Sequence, residues 1–227
     1  LAAVCDVFDG SDREAARISQ LLHGEAFDVL DSRGGRLWGR CRRDGVVGWI
    51  DGAALAEGAP LATRWVSRPG GVLPLNALLS DDDPGGVETA AIGEFAADPA
   101  AVAESLLGVR HAAGGRSSVE TDCAGLVQQA LLACGLPGPR DTAAQACLGV
   151  DVGRAQARRG DLALWLHPEG GPGWTGHSGL MRDADTVIHA TGHHKAVVIE
   201  PLAEVEARLR ADGFSDPVFR RLGPGLI

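Results

Sequence analysis

After Gly160 the chain breaks into four strand-length apolar segments, at 161–166, 177–182, 186–190 and 195–200. Only Asp183-Ala184-Asp185 separates the middle two, so they are expected to pair as a hairpin. Upstream of Gly160 the apolar spacing is helical instead. Asp98-Pro99 reads as an N-cap followed by proline at the first helical position, and predicts a helix through Leu107. A second helix is predicted from Cys123. It carries Leu126, Val127, Ala130, Leu131 and Cys134 on one face, and Gly135 and Pro137 stop it. Asp141-Thr142 caps a third, shorter helix over 143–148. A helix over 202–209 and a strand near 218–222 finish the chain. Helices first and an antiparallel set of strands afterwards define an α+β fold.

The N-terminal part has another character. Phe27 to Leu30 alternate like a strand, Arg33-Gly34-Gly35 turns the chain, and Leu37 to Cys41 returns. Arg43-Asp44-Gly45 is a second turn before Val46 to Ile50, with Asp-Gly as the hairpin signal. Residues 1–56 therefore predict a small β-barrel, with Trp38 and Trp49 in its core. Residues 57–97 are rich in Gly, Pro and Asp, as in Arg68-Pro69-Gly70-Gly71 and the run 80–86. Forty residues of pure linker are unusual in a compact protein, so a degenerate second β-unit is favoured over a linker. Residues 98–227 form the α+β domain.

Composition excludes several functions. A net charge of −9 lacks the basic footprint of nucleic-acid binding and disfavours anionic lipid. No apolar run is long enough to span a bilayer. The five cysteines, Cys5, Cys41, Cys123, Cys134 and Cys147, form no CxxC pair, so neither a structural zinc nor a disulfide framework is expected. Cys134, Cys147 and Trp165 are expected as buried apolar positions. Reduced thiols fit a cytoplasmic setting. The start at Leu1, without methionine or basic leader, leaves a periplasmic or exported protein with a removed leader open.

Cys123 lies where polar Glu120-Thr121-Asp122 passes into an apolar helix. A helix N-terminus favours the thiolate, the nucleophilic form, so a lowered thiol pKa is expected there. Such a nucleophile needs a base, and the base needs an orienter. Of the seven histidines, His177 and His189 fall on the two strands of the predicted hairpin, where one can support the other. The order is then Cys123, His177, His189. A metal site built from His177, His189, His193 and His194 would lack a carboxylate or cysteine at helical ligand spacing, and no metal or cofactor is expected.

Several segments carry a family resemblance: Asp122-Cys123-Ala124-Gly125-Leu126-Val127-Gln128, Pro139-Arg140-Asp141-Thr142, Arg159-Gly160-Asp161-Leu162, and His177-Ser178-Gly179-Leu180-Met181. With 54 positions from Cys123 to His177 and 12 more to His189, they resemble the NlpC-type cell-wall cysteine peptidases, a papain-like family. The N-terminal barrel resembles the bacterial SH3-like domain that precedes such peptidases. The layout with Arg140-Asp141-Thr142 is similar to the γ-D-glutamyl-L-diamino-acid endopeptidases of murein turnover. The resemblance implies a papain-like domain in which Cys123 attacks, His177 is base and acid, and His189 orients it. It implies that Asp141 and Thr142 hold the free amine of an L-Ala-γ-D-Glu peptide. Asp122 and His111 join them as substrate-binding candidates, and the partner is a murein-derived peptide. Three positions depart from the pattern: His111 stands where the family carries tyrosine, Ala113 where it carries an aromatic, and Ala124 where a serine commonly follows the cysteine. Two rival readings remain: on these departures, a cell-wall-peptide binding protein with reduced or lost activity, and, because some papain-like relatives transfer acyl groups through the same thioester, a papain-like acyltransferase.

Overall fold

The computed structural model describes residues 2–59, 61–80, 86–171 and 174–223. The N-terminal unit is a five-stranded antiparallel sheet of β1 (Val4–Phe8), β2 (Arg17–Leu22), β3 (Phe27–Arg33), β4 (Arg36–Cys41) and β5 (Val47–Asp51), in the order β2-β1-β5-β4-β3. The first two strands were not read from the sequence. Gly34 and Gly35 both take positive φ, 58° and 85°, which lets the β3–β4 hairpin turn in two residues. Val7, Leu21, Cys41 and Ile50 form the core of this unit. Trp38 and Trp49 are not in it. They pair across β4 and β5 on the opposite face from Leu37 and Ile50 and stay half-exposed.

A second unit follows, a three-stranded sheet of β6 (Arg64–Val66), β7 (Leu78–Leu79) and β8 (Thr89–Ala91). It has a small core of Val66, Ala77 and Leu79, and it gives Trp65 and Leu75 to the main core of the C-terminal domain. Most of the glycine- and aspartate-rich run 80–86, at positions 81–85, lies outside the described residues.

Among the described residues the C-terminal domain has the α-helices α1 (Pro99–Glu104), α2 (Cys123–Ala133), α3 (Thr142–Gln145) and α4 (Leu202–Ala211). Asp98, Asp122 and Asp141 cap the first three through their carboxylates, as each sits where a side-chain oxygen can take a free helix N–H. Two of these helices are shorter than their sequence pattern: α1 stops at Glu104, and α3 stops at Gln145. The sheet consists of β9 (Arg110–His111), β10 (Glu120–Thr121), β11 (Val150–Val152), β12 (Leu162–Gly171), β13 (Trp174–Met181), β14 (Thr186–Thr191), β15 (Ala196–Pro201) and β16 (Val218–Arg221). Its order is β10-β9-β15-β14-β13-β12-β16-β11.

Period-two alternation sends the two faces of this sheet to different partners. Leu162, Leu164, Leu180, Ile188 and Ala190 pack under α2 with Leu126, Val127, Ala130 and Leu131. Ala163, Trp165, Met181, Val187 and Phe219 pack under α4 with Leu202, Val205 and Leu209. Each fully buried Leu or Ile contributes roughly 1.5–3 kcal/mol, so both faces are anchored strongly. Cys134 is only half-buried and Cys147 is exposed, because the short α3 leaves Cys147 beyond its last turn.

The joint between the N-terminal sheet and the C-terminal domain is charged and buried. Arg116 is fully buried, and its two terminal nitrogens reach Glu25 Oε2 and Oε1 at 2.8 and 2.9 Å. Arg43 reaches Glu25 Oε1 at 3.0 Å and the Asn76 carbonyl at 2.8 Å. Gln128 of α2 donates to Asp44 at 3.0 Å. Burial pushes the Glu25 pKa up, but Arg116 and Arg43 outweigh it and hold it below the ordinary 4.5. The stability carried by this carboxylate is therefore present above that pH and is lost as pH falls below it. Removing one partner of a buried pair leaves an uncompensated charge and costs about 3–5 kcal/mol, against about 0–1 for an exposed pair. Urea unfolding of Arg116→Met is expected to show the larger loss and Arg40→Ala, from an exposed pair with Asp28, the smaller one. Equal effects would contradict this account of the joint.

Candidate active site

Cys123 is the first residue of α2, and α2 can begin there because Asp122 takes two backbone donors. Its Oδ1 accepts Gly125 N–H at 2.8 Å and its Oδ2 accepts Gly114 N–H at 2.9 Å. Arg140 clamps the same carboxylate at 3.0 and 2.5 Å. Asp122 N–H in turn donates to the Gly115 carbonyl at 3.0 Å. Gly125 has no side chain for a reason: a Cβ there would overlap that same Gly115 carbonyl. The nucleophile candidate thus sits on a helix start fixed from both sides.

A cleft of about 420 Å³ opens beside it. Cys123, His111, Asp122, Arg140, Asp141, Thr142 and His177 line it from the C-terminal domain, and Asp9, Arg17 and Ile18 from the N-terminal sheet. All the sequence-derived site residues except His189 therefore meet at one opening, and His189 lies directly behind. His177 on β13 and His189 on β14 are joined by Nε2 and Nδ1 at 2.7 Å, with the rings at 90°. Trp165, paired with His177 across β12 and β13, supports the His177 ring from below, centroid to centroid 5.8 Å.

Two of the substrate-binding candidates are already engaged within the protein. Asp122 spends its oxygens on the helix start and on Arg140, so its role here is architectural. Thr142 is buried, and its hydroxyl meets Ser178 Oγ at 2.8 Å under the sheet. Asp141 differs from both. Its Oδ1 caps Ala144 N–H at 2.9 Å and takes the Thr175 hydroxyl at 3.4 Å, while Oδ2 has no partner among the described residues. His111 is half-buried on β9, with Gly192 close against its ring. Burial lowers its pKa below 6.5 against the pull of Asp122, so at neutral pH it offers one N–H and one lone pair.

The sequence pattern did not reveal Glu200 and Arg208. Glu200 Oε2 lies 2.7 Å from His189 Nε2, and Arg208 of α4 grips both Glu200 oxygens at 2.9 and 2.8 Å. The available signal was a glutamate at an inward position of the last long strand, followed eight residues later by an arginine on the next helix.

The electrostatics overturn one expectation. Burial pushes the Cys123 thiol up to about 12, and the neighbouring Asp122 charge adds to it. Backbone N–H groups of Ser178 and Ala124 and the charge of Arg140 pull the other way and lose. The helix N-terminus is real, but the desolvation of a buried thiolate outweighs it. The thiol rests 3.8 Å from the Gly176 carbonyl. Burial, His189, His111 and Arg208 together hold His177 well below 6.5. The resting pair is therefore a neutral thiol and a neutral imidazole. With iodoacetamide at pH 7, exposed Cys147 is expected to label faster than Cys123 in the free protein. Faster labelling of Cys123 would contradict the neutral resting pair.

Residues 7–55 match the bacterial dipeptidyl-peptidase Sh3 domain family, and residues 108–211 match the NlpC/P60 family. A search of the curated proteins returned no match. Among solved structures, the chain is similar to an NlpC/P60 family protein from Bacillus cereus ATCC 10987. The two share 19% identity and a TM-score of 0.73, over 92% of this chain and 83% of that one. It is also similar to NlpC1 from Trichomonas vaginalis, at 15% identity and a TM-score of 0.52, over 97% and 89% of the two chains. The peptidoglycan hydrolase RipB from Mycobacterium tuberculosis is 30% identical over 46% of each chain, with a TM-score of 0.35. The matched span 108–211 contains Cys123, Asp141 and His177, which line the cleft, and His189, Glu200 and Arg208, which lie behind it. Residues 108–211 are thus an NlpC/P60 family domain, set behind a bacterial Sh3 domain at residues 7–55.

Proposed function

We propose that this protein is a cysteine endopeptidase that cuts the γ-D-glutamyl–diamino-acid bond of murein-derived peptides with a free N-terminal L-Ala. The observation that carries the reading is the meeting of Cys123, His177 and an open Asp141 carboxylate in one cleft, with His189 bonded behind His177. In the first step the Cys123 proton passes to His177 as sulfur bonds to the γ-carbonyl carbon. The Cys123 backbone N–H, free at the helix N-terminus, donates to the oxyanion. Collapse breaks the C–N bond, the His177 proton goes to the leaving amine, and a thioester remains. Water then adds to the thioester with His177 as base, which releases L-Ala-γ-D-Glu and restores the thiol.

A neutral resting pair suits a coupled transfer, in which proton and nucleophile move together once substrate is in place. The same resting thiol favours one competing reading, a protein that holds the peptide without cutting it. In the preferred reading, Asp141 Oδ2 takes the substrate ammonium, and the Sh3 wall at Asp9, Arg17 and Ile18 closes the cleft beyond it. An enzyme so walled cuts after the second residue.

Mass spectrometry of L-Ala-γ-D-Glu-diaminopimelate after incubation is expected to show the dipeptide and free diamino acid, and none with Cys123→Ala. An intact peptide with wild type and variant alike would leave the binding reading standing instead. Asp141→Asn is expected to raise KM about tenfold or more at nearly constant kcat, since about 1.4 kcal/mol of binding is a factor of ten. N-acetylation of the substrate is expected to do the same to wild type and little further to Asp141→Asn. If acetylation weakened both proteins equally, Asp141 would not be the amine's partner.

A further inference from the structure

Behind His177 the polar groups form a continuous row on one sheet face. The register explains why. Alternation along β13 puts His177 on the face of Met181, alternation along β14 puts His189 on the face of Val187, and Glu200 pairs with Val187 across β15. That face is the one α4 covers, and Arg208 reaches down from it. The row reads His177 Nε2 to His189 Nδ1 at 2.7 Å, His189 Nε2 to Glu200 Oε2 at 2.7 Å, and Arg208 on both Glu200 oxygens at 2.9 and 2.8 Å.

The end of the row fixes its direction. An ionised carboxylate has no proton to donate. Burial works against ionisation of Glu200, but the Arg208 fork and His189 outweigh it and hold its pKa at about 2. Glu200 therefore only accepts, so His189 carries its proton on Nε2. His189 Nδ1 is then a lone pair and also accepts, so His177 carries its proton on Nε2. The one basic nitrogen left on His177 is Nδ1.

We propose that Glu200, braced by Arg208, is a positioning residue for the Cys123 reaction: it sets the tautomers of His189 and His177 and leaves Nδ1 of His177 as the base. This builds on the reading of His177 as the base of Cys123, but the ring assignment stands without it. The carboxylate has a second effect. When His177 gains the thiol proton it becomes a buried cation, and Glu200 one ring away favours that charge. The other groups around His177 oppose it: His189 on β14, His111 on β9 and Arg208 on α4. On the far side of Glu200, His194 Nε2 stands 3.3 Å from Oε1 and takes no part in the row to His177.

Long-range ¹H–¹⁵N correlation spectra of the full chain at pH 7 report the protonated nitrogen of each histidine. Both His177 and His189 are expected to carry the proton on Nε2, and a proton on Nδ1 of either ring would overturn the proposal. Glu200→Gln keeps an acceptor oxygen and removes the charge. Its kcat is expected to fall roughly tenfold or more at unchanged KM, because the base then loses the group that fixes its tautomer. The acid limb of its kcat/KM profile is expected to move to lower pH, because His177 then binds its proton less well. A limb that stays in place while activity drops would mean a merely structural role. If wild type cuts no peptide, the peptidase reading fails while the spectrum still decides the tautomers. The wild-type spectrum also decides where Glu200→Gln does not fold.

Discussion

A fully buried arginine is stable only when paired, and Arg116 finds its pair in another domain. Its fork on Glu25 spans 91 residues of sequence and ties the Sh3 sheet to the loop that leads into α2. Arg116 N–H and one terminal nitrogen also bond Gln20, on the Sh3 strand β2, at 2.9 and 2.8 Å. The preceding residue, Gly115, gives its carbonyl to Asp122 N–H, and Gly114 gives its N–H to the Asp122 carboxylate. A Cβ on Gly114 would overlap the Arg17 carbonyl, so the two domains also touch by backbone there. The joint between domains and the start of the helix that carries Cys123 are thus one hydrogen-bonded unit. Hydrogen bonds and chain connectivity through Arg116, Gly115 and Asp122 link Glu25 to the helix start at Cys123.

That arrangement serves a site whose parts are held neutral at rest. Burial keeps the Cys123 proton on sulfur and keeps His177 and His189 uncharged, with His189 lowered to about 4. The permanent charges stand at either end: Arg140 on Asp122 beside the thiol, and Arg208 on Glu200 behind the imidazoles. In the proposed mechanism, charge appears between them only as the proton leaves the thiol. A preorganised set of dipoles and distant ions costs no reorganisation at that moment.

The local signals in the sequence carried much of this. An aspartate before an apolar helix gave Cys123 its place, and a three-residue turn between two strands joined His177 to His189. Asp141-Thr142 gave the cap of α3. Pairings remote in sequence left no local trace. Glu25 and Arg116 look like ordinary surface charges until the domains dock, and β1 and β2 are joined by the longer stretch 9–16 instead of a two-residue hairpin turn. Asp122 and Thr142 were visible as polar residues near Cys123, but direction was not: one side chain turns to the helix start and the other to Ser178. The thiol pKa was misread for a similar reason. Position on a helix is local information, whereas burial depends on the whole fold.

The proposed mechanism turns on a covalent intermediate on Cys123, formed from the acyl half of a γ-D-glutamyl peptide. Rapid mixing with L-Ala-γ-D-Glu-diaminopimelate, acid quench and peptide mapping would read it directly. The expected result is a mass increase equal to the L-Ala-γ-D-Glu acyl group on the Cys123 peptide alone, discharged by hydroxylamine. Peptide turnover without any adduct at Cys123, or an adduct on another cysteine, would contradict the account.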